Sequence, residues 1–179
     1  MAVIEAIETI YLEADVASVE FTSIPSTYEH LQLRMSVMGD RTASGAWYLY
    51  LRLNGDSGSN YSNHQVYGFG SSQYVAKYTG QDMHWTPHLS TLGTDADHSA
   101  ASYGTETIDI LGYANTNRIT TFSIMGGVAT GTMSVGLFSG MWDSTAAVNA
   151  IWLAPDNVGT DDSIWQRGSS FTLYGWNSS

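Results

Sequence analysis

Five histidines, seventeen acids and many hydroxyls supply the ingredients of several chemistries, so spacing has to decide among them. His84-Trp85-Thr86-Pro87-His88 puts two histidines at i and i+4, the spacing of two metal ligands on one helix face. Pro87 argues against that helix, because proline lacks the backbone donor and clashes with the preceding turn. Asp82, Asp95, Asp97 and His98 are close in sequence, but nothing fixes one of them as a third ligand. The stretch reads as a loop with incidental histidines, and Asp95-Ala96-Asp97-His98 as a solvated acidic loop. Asn54-Gly55-Asp56-Ser57-Gly58-Ser59-Asn60 carries oxygens at several positions, as a calcium loop does, yet lacks the carboxylate count and closing Glu of an EF-hand. It reads as a turn. No Gly-x-Ser-x-Gly elbow gathers a nucleophile, a histidine and an acid. Asp161-Asp162 reads as a solvated turn and not as a glycosidase pair. The expectation is no catalytic residue, no metal and no cofactor: the chain is not read as an enzyme.

The aromatic residues carry more information. Six Trp and eleven Tyr are too many for one core. Tyr48 and Tyr50 fall on the strand face opposite Trp47, Leu49 and Leu51, and Tyr174 falls opposite Phe171 and Leu173. Aromatics exposed on a sheet face suggest a subunit interface or a sugar-stacking surface, and the interface is the favoured reading. Trp85 and Trp165 are expected in loops, where they could stack on sugars. Tyr48, Tyr50, Trp85, Trp165 and Tyr174 are therefore the interface or ligand candidates.

Strands must position these residues. Leu31, Leu33, Met35 and Val37 alternate with Gln32, Arg34 and Ser36, the cleanest period-2 pattern in the chain. Trp47, Leu49, Leu51 and Leu53 alternate likewise, and are expected to form an antiparallel neighbour of the first run. Further strands are expected at 8–12, 17–22, 61–69, 107–111, 118–125, 133–139 and 148–153. Ile4, Ile7 and Ile10 roughly fit a helix, but Thr9-Ile10-Tyr11-Leu12 favours a strand, leaving 1–7 as an N-terminal arm or strand extension before a sandwich domain over 8–179. The run Ser169 to Trp176 is expected to close a sheet begun much earlier, so the fold should depend on its last ten or so residues. Residues 70–103 are the least patterned: a functional excursion, or one holding elements that the pattern does not reveal. Nine or ten short strands give an all-β fold, a single-domain antiparallel β-sandwich.

Bulk composition narrows the partners. Net charge is −11, and Lys77 is the only lysine, so no nucleic acid and no anionic membrane is expected as a partner. There are no cysteines, which excludes disulfides, thiolate zinc sites and thiol catalysis. Met1-Ala2-Val3-Ile4-Glu5 lacks a basic n-region and apolar run, so synthesis in a cytoplasm without signal-peptide export is expected.

Several segments, in order, resemble a structural-protein domain of tailed bacteriophages. They are Phe21-Thr22-Ser23-Ile24-Pro25-Ser26-Thr27-Tyr28-Glu29-His30-Leu31, then Leu51-Arg52-Leu53-Asn54-Gly55-Asp56 through Ser59-Asn60-Tyr61-Ser62. Next come Ile108-Asp109-Ile110 with Tyr113-Ala114, Gly140-Met141-Trp142, and Ala147-Val148-Asn149-Ala150-Ile151. The last is Gly168-Ser169-Ser170-Phe171-Thr172-Leu173-Tyr174-Gly175. The order and the ending carry the resemblance. Trp176 with its polar tail departs from it, and 70–103 has no counterpart in it. The resemblance implies a jelly-roll-like sandwich in a virion component, a homotrimer. It would act as a capsid decoration (cement) protein on the major capsid protein or other virion proteins. The alternative it implies is a tail-fibre or tail-tip receptor-binding domain that meets a host glycan.

Overall fold

Alternation of apolar and polar residues writes most of this chain as strands, and strands are what form. The computed structural model describes residues 4–39, 48–87, 103–128, 133–155 and 164–178. Among these are twelve strands in two antiparallel sheets, and no helix. The larger sheet runs, edge to edge, β1 (Ile4–Tyr11), β12 (Ser170–Trp176), β3 (His30–Val37), β8 (Gly104–Leu111), β9 (Thr120–Val128), β10 (Ser134–Trp142), β5 (Tyr61–Phe69) and β6 (Ser72–Gln81). The smaller runs β2 (Val19–Phe21), β11 (Ile151–Pro155), β4 (Tyr48–Leu53) and β7 (His84–Pro87). The two sheets form one sandwich-like domain.

The core fills the space between the inner faces. Leu31 and Leu33 of β3, Ile108 and Ile110 of β8, and Phe171 and Leu173 of β12 come from the larger sheet. Leu49, Leu51 and Leu53 of β4 and Ile151 and Leu153 of β11 come from the smaller. Every residue of β12 is paired on both sides, with β1 and with β3. The last described strand is thus built into the interior of a sheet, one strand in from its edge.

One expectation needs correction, and two open readings are decided. The runs at 31–37 and 48–53 are not neighbours: β3 pairs with β12 and β8, while β4 lies in the other sheet between β11 and β7. Two strands that face each other across a core bury alternate residues just as two strands side by side do, so the pattern does not distinguish them. The 70–103 stretch contains β6 and β7. β6 forms a hairpin with β5 at the sheet edge and is exposed along most of its length, so it shows no burial period. Residues 4–7 continue β1, and its register shifts between Ala6 and Glu8. That bulge lets Ile7 and Ile10, three apart, both pack against the core. The helix-like spacing is the trace of an irregular strand.

β10 has glycines on its inward face at 136 and 140. A Cβ at Gly140 would collide with the ring of Phe122, and one at Gly136 with the rings of Phe138 and the Cβ of Tyr67. The missing side chains are the space into which these aromatics fold. Gly140→Ala is expected to destabilise the domain by about 1–3 kcal/mol, because a core ring would have to leave its place. Urea unfolding of both proteins reads this directly, and equal midpoints would show that Phe122 can shift freely.

Candidate functional site

The five aromatic candidates separate into three places. Tyr48 and Tyr50 lie half-buried on the outer face of β4, rings parallel at 6.4 Å, on the side opposite Leu49 and Leu51. Trp85 joins them: it sits in strand β7, not in a loop, and meets Tyr48 edge-on at 4.9 Å. Tyr78 of β6 packs on the same indole at 4.4 Å, tying the edges of the two sheets together. Arg52 lies 5.2 Å over Trp152 on that face and pairs with Asp82 at 3.2 Å.

Tyr174 is on the other sheet, with the Arg34 guanidinium 5.4 Å above its ring. Trp165 is in neither surface. It is 1% exposed, bridged on its backbone to Val16 and Gly39, with its indole edge-on to Phe171 at 5.4 Å. Its indole N–H donates to the Leu153 carbonyl at 3.4 Å. It plugs the core, so its ring does not reach a sugar or a partner. A polar stretch concealed this, since the burying surfaces come from strands distant in sequence.

Asp56 and Asn54 of the 54–60 turn spend their side-chain oxygens inside the fold. The Asp56 carboxylate accepts from Gly58 N–H (2.8 Å), Asn60 Nδ2 (2.8 Å) and the indole N–H of Trp142 (2.6 Å), and these donors hold its pKa below the usual carboxylate range. Asn54 Oδ1 accepts from the backbone N–H of Asn149 and Ala150. The turn is a clamp on the chain. Among the described residues no group of three His, Asp or Glu is placed to hold a metal. His88, Asp95, Asp97, His98, Asp161, Asp162 and Trp47 lie outside the described residues.

Between the sheets, at the β7 edge, is a polar cluster that sequence reasoning missed. His84 and Thr86 point inward from β7, Asn63 and Gln65 from β5, and Glu106 from β8, all buried. Gln65 and Asn63 donate to the Trp85 carbonyl at 3.0 and 3.3 Å. Glu106 is 3.5 Å from the Thr86 hydroxyl, and its other oxygen has no partner. Neither ring nitrogen of His84 has one. Burial pushes Glu106 up to about 8 and His84 down to about 3, so both are neutral at pH 7. The signal for Glu106 was present, because it continues the inward alternation of Ile108 and Ile110. The side chains of the cluster are almost wholly buried among the described residues, although Glu106 also borders a surface pocket of about 540 Å³ with Thr105, Thr107 and Ser134.

Two features mark the outer face of the larger sheet. Met125, Leu137, Val66 and Val75 stand in register across β9, β10, β5 and β6, with Val135 beside them. They are between 52% and 70% exposed, an apolar ridge facing water. One step along the strands, Lys77, His64, Ser139, Ser123, Asp109, Gln32 and Tyr174 form a polar row, also in register. Gln32 donates to Asp109 at 2.7 Å and accepts from Arg34 at 2.8 Å, so that end of the row is ordered by its own hydrogen bonds. At the other end the surface dips into a trough of about 640 Å³.

No family model matches this chain, and no curated protein matches it. A solved structure of an alginate lyase double mutant in complex with alginate tetrasaccharide aligns over 89% of this chain and 79% of its own. The identity is 9% and the TM-score 0.26, which carries no argument about fold or activity.

Proposed function

We propose that this chain is a structural protein of a tailed-phage virion, a capsid decoration protein that works as a homotrimer. The resemblance of its ordered segments supports the virion reading. The apolar ridge of Met125, Leu137, Val66, Val75 and Val135 carries the assembly reading. Leaving that ridge wet is unfavourable by ~25 cal/mol for each Å² of apolar surface, and burial against neighbouring copies removes the penalty. A face so poor in charge suits the centre of an interface, where charged residues are depleted. Surface Lys and Arg are scarce, which fits a protein that meets other proteins and not nucleic acid.

The test is the mass of the purified protein in solution, followed by binding to expanded, undecorated capsids. A trimer that binds capsids is expected. Leu137→Lys places a charge at the centre of the ridge and is expected to yield a folded monomer that no longer binds. A parent protein that is monomeric and ignores capsids overturns the reading. A trimer that ignores capsids but adsorbs to host cells would replace it with the tail receptor-binding role.

A further inference from the structure

We propose that the trough beside the apolar ridge is a binding site for an acidic oligosaccharide. Its lining mixes short hydroxyl side chains, Ser62, Thr121, Ser123 and Ser139 on the outer faces of the adjacent strands β5, β9 and β10, with the apolar surface of Met141, Leu111 and Tyr78, the pairing of hydroxyls and apolar surface that a sugar ring presents in return. Short residues keep the floor low between taller neighbours. Each hydroxyl both donates and accepts, the capacity that a polyhydroxylated ligand requires and an apolar partner does not use. The volume of about 640 Å³ falls inside the ~300–1,000 Å³ usual for small-ligand sites.

Charge selects the ligand further. Lys77 stands opposite His64 across the β5–β6 pair and lines the trough. It is the sole lysine of a chain with net charge −11, and it makes no ion pair among the described residues. A lysine ammonium with no such pair, in a concave and mostly apolar surface that also carries hydroxyls, is a place for one anionic group, its field focused by the low-dielectric walls. One cation among hydroxyls suits a carboxylate on a sugar. A phosphate cluster would call for several cations or a guanidinium fork.

Calorimetry on the intact chain at low salt tests this, with tetragalacturonate and sialyllactose as acidic probes and cellotetraose as the neutral one. Binding of an acidic probe in preference to cellotetraose is expected, weakening as salt is added. Lys77→Gln should lower the affinity about tenfold, the loss of one charge-assisted hydrogen bond. Ser139→Leu should fill the floor and abolish binding. Both positions are exposed, so unchanged thermal unfolding and solution mass separate loss of the site from loss of fold or assembly. No binding of either acidic probe, equal binding of cellotetraose, or unchanged affinity in both variants would overturn the proposal. None of these results bears on the apolar ridge.

Discussion

A chain ending at Ser169 is expected to be unfolded at 25 °C. The deletion removes β12, which is paired along its whole length with β1 on one side and β3 on the other. It takes Phe171 and Leu173 out of the core, each worth about 1.5–3 kcal/mol of burial. It also strands β1, whose pairing in the larger sheet is with β12. The ring that packs edge-on to Trp165 goes as well. Domains of this size are stable by only ~5–15 kcal/mol, and the burial lost here together with two strand ladders takes most of that margin. Far-UV circular dichroism and a urea titration read the outcome. A cooperative unfolding transition in the shortened chain would show that β1 and β3 can close the sheet without β12.

Glu106→Gln is expected to leave stability unchanged near pH 4.5 and to raise it at pH 8 by on the order of 2–4 kcal/mol. The reason is the carboxyl's position. Its pKa rises from 4.5 to about 8 on folding, because burial disfavours the anion. Between those values the folded protein holds a proton that the unfolded chain releases. Stability from this group is therefore full below pH 4.5 and lost as pH rises toward 8. Glutamine keeps the shape, ionises in neither state and removes that slope. His84 acts in the opposite sense. Its pKa falls from 6.5 to about 3 on folding, so it withdraws stability as pH drops below 6.5. The parent should thus be most stable at mildly acid pH. The variant should hold its stability from about pH 6.5 upward. Melting temperatures of both proteins from pH 4.5 to 8.5 decide this. A constant offset at every pH would mean that Glu106 is not the group responsible.

The unpartnered oxygen of Glu106 and the two bare nitrogens of His84 lie where the smaller sheet ends at β7. Pro87 lies in β7, the outermost described strand of that sheet, where a missing backbone donor is tolerated. The proline that argues against a helix in the sequence thus sits in a strand. Its two inward residues are polar, so no apolar alternation announced the strand.

Sequence by itself determined that this chain is all β, because Leu31-Leu33-Met35-Val37, Leu49-Leu51-Leu53 and Phe171-Leu173 each repeat with the period of a pleated strand. In the strands with clear alternation it also determined which side is wet, including the outward positions of Tyr48, Tyr50 and Tyr174. Those are local properties: successive side chains in a strand must point to opposite faces. Tertiary structure alone decided the partners. It placed β3 and β4 in different sheets, Trp165 in the core and Trp85 on an outer strand face. It also aligned Val66, Val75, Met125 and Leu137 into one ridge and Lys77, His64, Ser123 and Ser139 along one trough. Each of those groupings joins residues brought together by sheet order and register. Both depend on long-range pairing that a period of two along the chain leaves open.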